Sequence, residues 1–162
     1  MNRLENLMKN LLILLLSAVF LMPITAKDVN TLGGKVTAEA LNEQFSGVLA
    51  GKGELFIKAE KEHGIPAVLL AAIAIQESGG GKSKMALRCN NVFGITPNGK
   101  TGLRFKTVED CINYECKLLN DKYLKQGRKT VTSIGRKYCA TRGWSRAVNK
   151  HISLLERRTA VK

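Results

Sequence analysis

No Cys-X-X-Cys pair occurs in this sequence, and its two histidines, His63 and His151, stand far from any ligand spacing. The common zinc frameworks are thereby excluded, and no metal or cofactor is expected. Internal repeats and low-complexity tracts are also missing, which leaves a single folded domain. Acidic residues are few: 13 Asp and Glu stand against 26 Lys and Arg, a formal charge of +13. Nor is any apolar run long enough to span a bilayer comfortably; Leu11 to Met22 is the nearest approach.

That short run nevertheless has a role. Arg3 and Lys9 precede it, and Pro23-Ile24-Thr25-Ala26 lead into a polar stretch. These are the parts of a secretory signal, so residues 1–26 are expected to be a signal peptide removed after Ala26, and a membrane is a partner only if the leader stays on. The leader carries Arg3, Lys9 and Glu5, or +1, which leaves +12 on the remainder. A surplus of that size favours a polyanionic neighbour. For a secreted chain this is the anionic polymer of a cell wall or envelope rather than nucleic acid. Export also makes disulfides the default for the four cysteines, Cys89, Cys111, Cys116 and Cys139. On one helix Cys111 and Cys116 would be roughly 8 Å apart, beyond bonding reach, so each is expected to pair with Cys89 or Cys139.

Residues 27–36, with Gly33-Gly34, read as a flexible lead-in to a domain over 37–162. Thr37 looks like a helix cap, with Leu41, Phe45, Val48 and Leu49 on one face of a helix that Gly51 and Gly53 break. A second amphipathic helix is expected from Glu54 to His63. From Lys82 to Lys106 the helical period disappears, and the segments around Val92 and Leu103, separated by Pro97-Asn98-Gly99, predict a small β-hairpin. Helices resume from Thr107, over Val131 to Ala140, and from Ser145 to Arg157. The fold class expected is α+β, mainly α-helical, with one small hairpin.

The stretch Ala67 to Ser78 is apolar on nearly every side and ends in Gly79-Gly80-Gly81. A soluble domain can only bury such a helix at its centre. It carries one carboxylate, Glu77, in its last turn. The negative end of the helix dipole and desolvating neighbours both disfavour the ionised form, which suits Glu77 to the role of proton donor. A helix-borne acid beside a Gly- and Asn-rich segment can protonate a glycosidic oxygen.

Phe56-Ile57 through His63-Gly64-Ile65-Pro66, then Ala74-Ile75-Gln76-Glu77-Ser78-Gly79 with Gly81-Lys82-Ser83, then Asn90-Asn91-Val92-Phe93-Gly94-Ile95, resemble glycoside hydrolase family 73. Tyr138-Cys139-Ala140, followed by Trp144 and Val148, is similar to that family's C-terminal tyrosine segment. The resemblance runs from about Thr37 to Leu155. It implies a lysozyme-like fold and an endo-β-N-acetylglucosaminidase acting on the glycan strands of peptidoglycan, as a monomer. It further implies Glu77 as catalytic acid, Tyr138 as the active-site tyrosine, and Asn91 and Phe93 as sugar-cleft residues. Trp144 reads as a packing residue. No second carboxylate is assigned: Glu109 and Asp110 sit at a helix start, and Glu115 falls on the core side of its helix.

Three other readings compete. A lytic transglycosylase would share the fold and the single acid but release an anhydro-muramic product. A wall-binding protein without catalysis would need no acid at all. Val131 to Leu155, turning at Gly143 with basic residues beyond it, could form a DNA-binding helix-turn-helix, which leaves the Glu77 region without a purpose.

Overall fold

In a computed structural model the chain is described over residues 27–160; the expected signal peptide lies outside the described residues. Among the described residues seven helices follow in order: α1 (Ala38–Asn42), α2 (Gly53–His63), α3 (Ala67–Ser78), α4 (Lys84–Cys89), α5 (Val108–Lys122), α6 (Val131–Tyr138) and α7 (Trp144–Ala160). Short 3-10 turns stand at Val29–Leu32, Gly47–Leu49 and Leu124–Gln126.

The apolar helix α3 is the axis of the domain. Every residue from Ala67 to Ala74 is buried, because neighbours cover all of its faces: α7 packs along it most extensively, with α2 and the Val29–Leu32 turn against other sides. Fully burying one such Leu, Ile or Val is worth about 1.5–3 kcal/mol, so the helix is the main apolar stabiliser of the fold. Its start is closed by a side chain from α2. Glu60 Oε2 accepts from the amide of Ala67 at 2.8 Å, while Oε1 accepts from Gly34 at 2.6 Å. One carboxylate thus satisfies an orphan helix donor and ties residues 27–36 to the body. Contrary to a flexible lead-in, Val29 and Leu32 are core residues, and the Val29 amide donates to Lys129 O at 2.7 Å.

At the other end, Gly79 adopts a left-handed conformation (φ 59°), and the Gly80 amide returns to Ile75 O at 3.0 Å. The glycine triplet is more than a stop. Ser46 and Val48 amides donate to Gly80 and Gly81 carbonyls at 3.0 and 3.1 Å. A Cβ on Gly81 would stand 2.3 Å from Ser46 O, and one on Gly47 would stand 2.2 Å from Gly81 O. This close approach explains a difference from expectation: the first helix does not run through Val48 but ends at Asn42, since Gly47 must turn with φ 50° to meet the loop.

Two further expectations are corrected over residues 82–106. Ser83 caps a short helix, α4, accepting from the Ala86 amide at 3.1 Å. The hairpin does not form as strands among the described residues. Leu103 N still donates to Ile95 O at 2.9 Å and Phe105 N to Cys89 O at 2.8 Å, but two asparagine side chains supply further bridges. Asn90 Nδ2 donates to Phe105 O and Lys106 O at 3.1 and 3.0 Å, and Asn91 Nδ2 donates to Ile95 O and Leu103 O at 3.0 and 2.9 Å. Carbonyls that a ladder would engage are taken by side-chain amides, so the segment closes as a cross-linked loop.

The expected disulfides are absent as well: all four cysteines are free thiols. Cys111 and Cys116 are buried on α5, and burial pushes both thiols up to about 12. The backbone of Val92 and Phe93, in the cross-linked loop, works against that rise at Cys111.

Candidate active site

Glu77 emerges from the core at the last turn of α3, partly buried, where α6 and α7 meet over it. Its Oε1 accepts a 2.5 Å hydrogen bond from the indole Nε1 of Trp144, the first residue of α7. Burial raises the carboxyl above the ordinary glutamate range, and the indole N–H works against that shift by stabilising the anion. The tryptophan reaches this position because Gly135 of α6 leaves room for it. A Cβ there would lie 2.2 Å from Ser145 Oγ and 2.8 Å from the indole ring.

Two depressions meet at the carboxyl. One, about 390 Å³, is lined by Glu77, Phe93, Gly94, Tyr114, Tyr123 and Tyr138, among others. The second, about 360 Å³, is lined by Gln76, Glu77, Thr141, Arg142 and Trp144, with Gly143 and Ala147. Glu77 and Cys139 belong to both, so the acid stands on the saddle of one groove. The first half is aromatic, and the second carries a cation and a primary amide. No other carboxylate lines either half.

Tyr138, the last residue of α6, is part of the wall. Its ring stacks on Trp144 (centroids 4.9 Å, 27° between planes) and meets Tyr123 at 5.7 Å. Burial pushes the phenol well above the ordinary tyrosine range, with the charges of Glu115 and Glu77 adding to it, so it stays protonated. Phe93 is buried with 2% exposure and forms floor rather than an open platform.

Asn91 is where the structure departs from the expected site. Its amide is 1% exposed, both donor directions are used on backbone carbonyls, and Oδ1 accepts from Ile95 N at 2.9 Å. It shapes the groove wall by folding the loop, and has no donor left for a sugar hydroxyl.

Two residues of the site escaped the sequence reading. Trp144 is a ligand of the acid as well as a packing residue; the clue was Gly135, a glycine inside a helical stretch, which marks a close approach without naming what approaches. Periodicity places Glu115 only on the core side of its helix; it is fully buried, and the Tyr138 hydroxyl and the Glu77 carboxyl act on it.

Because the indole N–H stabilises the Glu77 anion, Trp144→Phe keeps the stack on Tyr138 while letting the carboxyl hold its proton to higher pH. The titration of the Glu77 carboxyl, followed by NMR, is expected to move to higher pH. A titration that stays put or moves to lower pH would refute the assignment of this hydrogen bond.

Residues 53–157 match the glucosaminidase family, described as mannosyl-glycoprotein endo-beta-N-acetylglucosaminidase. Two proteins of Streptococcus pneumoniae, strains TIGR4 and R6, that carry the provisional name endo-beta-N-acetylglucosaminidase are each 35% identical over 125 residues, 71% of this chain. The chain spans only 18% and 17% of the lengths of these curated relatives. Among solved structures, S. aureus autolysin E in complex with the muropeptide NAM-L-Ala-D-iGlu is similar with TM-score 0.69 and 17% identity, over 84% of this chain and 75% of that one. A catalytic mutant of autolysin E in complex with the disaccharide NAG-NAM is similar with TM-score 0.68 and 15% identity, covering 83% and 74%. At such identities the likeness carries the fold.

Proposed function

The chain belongs to the glucosaminidase family, and from that premise we propose that it hydrolyses the β-1,4 bond between N-acetylglucosamine and N-acetylmuramic acid in peptidoglycan, with Glu77 as general acid. The observation that carries this reading is the position of Glu77: a carboxyl kept above its usual range by burial, with a depression of about 390 Å³ on one side and one of about 360 Å³ on the other. The glycosidic oxygen lies over the carboxyl, takes its proton as the bond to C1 breaks, and leaves as a hydroxyl. Tyr138, neutral and on the same wall, presents its hydroxyl oxygen toward the charge that develops at the sugar ring. Since no second carboxylate lines the groove among the described residues, the group that attacks C1 is a water or the substrate's own acetamido oxygen.

The aromatic half suits the apolar faces of pyranose rings. Arg142 in the other half suits a carboxylate, such as that of a muramic lactyl group or stem peptide. The relatives act on or bind sugars of this kind by name, which supports the substrate class. We further assign the enzyme to the cell wall, exported by its leader, acting as a monomer whose +12 charge holds it against anionic wall polymers.

The deciding measurement is the reducing-end sugar released from purified peptidoglycan. Reducing N-acetylglucosamine is expected; an anhydro-muramic end would make the protein a lytic transglycosylase, and no release at all a binding protein.

A further inference from the structure

Glu115 is the one carboxylate of α5 with no route to solvent. It is 0% exposed, and neither of its oxygens meets a donor in hydrogen-bonding geometry among the described residues. A buried polar group left in that state is costly, and a leucine of similar size would serve the core better. The groups that interact with it are titratable but none is a cation: Tyr138 from α6, Glu77 from α3, Tyr123 at the end of α5, and Cys111 and Cys116 on its own helix. The nearest in effect is the Tyr138 hydroxyl, which approaches without the alignment of a formed bond and favours the Glu115 anion.

Tyr138 needs such a neighbour. Its ring stacks on Trp144 and meets Tyr123 at a tilt, but such contacts fix the plane of a ring and not the direction of its hydroxyl proton. Something behind the wall must set that direction. We propose that Glu115 is a positioning residue for Tyr138, holding its hydroxyl in place from behind the wall of the groove that Glu77 and Tyr138 share.

The inference rests on the hydrolase reading and deepens it. Burial and the nearby Glu77 charge keep Glu115 protonated up to about pH 8. At working pH both partners are therefore neutral hydroxyl groups, able to pair as soon as the phenol turns into line with the carboxyl. The phenol oxygen then keeps a lone pair facing the sugar. Above pH 8 the acid ionises, the phenol keeps its proton and turns its O–H toward the carboxylate, and a further negative charge stands behind Glu77. Glu115 never touches substrate; its effect passes through Tyr138.

The test compares Glu115→Leu, Glu115→Gln, Tyr138→Phe and the double variant Glu115→Leu/Tyr138→Phe in the full chain. It measures kcat, KM and Tm, with reducing-end release from purified peptidoglycan as the assay. Glu115→Leu is expected to raise Tm, since an unpaired buried acid is gone, and yet to lower kcat about 100-fold with little change in KM. The double variant is expected to be no worse than Tyr138→Phe alone, because the two act as one unit. Glu115→Gln, isosteric and neutral, should recover most of that loss, and should lack the fall in activity centred near pH 8. A purely structural role would move Tm and kcat in the same direction and leave the pH profile alone. Unchanged kcat in Glu115→Leu, or losses that multiply in the double variant, would overturn the proposal while leaving the hydrolase reading intact. Full activity in Tyr138→Phe would overturn it together with the role given to that tyrosine, and full activity in Glu77→Gln would sink the hydrolase reading itself.

Discussion

Glu77→Gln is expected to abolish clearing of wall suspensions, lowering kcat by about 10²–10⁴-fold, while binding to purified sacculi persists. Glutamine keeps the shape of the side chain and still accepts from Trp144 Nε1, so the groove and the stack of Trp144 on Tyr138 stay in place. What it loses is the proton. A general acid lowers the barrier by transferring a proton as the leaving oxygen gains charge, and an amide cannot do so. The same variant should unfold at a slightly higher temperature, because the burial that raises the Glu77 carboxyl is a cost that the amide avoids. Turbidity clearing at the parent rate would disprove the mechanism, and loss of sacculus binding would show that the acid mainly anchors substrate.

The second large effect concerns stability. A glutamate in the unfolded chain ionises near 4.5, whereas Glu115 in the folded protein holds its proton to about 8. Between those values the native state binds more protons than the unfolded state, so stability falls as pH rises through that window and levels off above 8. Over the full window the loss is about 4 kcal/mol. Glu115→Gln removes this titration. Urea unfolding at pH 4.5 should find the variant and the parent alike, and at pH 8 the variant should lead by several kcal/mol, or by about 10 °C in Tm. A gap that does not change with pH would mean that Glu115 is already ionised, or already well partnered, in the native state.

Much of this protein is readable before any coordinates. Ala67 to Ala74 carries so few polar groups that only a central helix can accommodate it, and Gly79 marks its end, which places Glu77 at the rim of the core. Thr37 and Thr107 announce helix starts by ordinary side-chain capping. The segment after Ser83 misled because its capping serine opens a helix of only six residues, too short to show a period. Val92 and Leu103 misled because alternating apolar residues are equally compatible with a strand and with a loop closed by asparagine amides.

The residue types and the local helix ends were determined by the sequence itself: one acid at the end of an apolar helix, a tyrosine and a tryptophan near the C-terminus, an excess of positive charge. Which of them meet was decided only by the packing of α3 against α7, of α2 against α5 and of α6 against α7. Periodicity says that Glu115 faces inward, but not that it faces Tyr138; it marks Trp144 as apolar, but not that its N–H ends on Glu77, 67 residues away in the chain. Contacts between distant helices depend on the angle and register at which whole faces interlock, and on gaps such as the one at Gly135, and no local pattern encodes those.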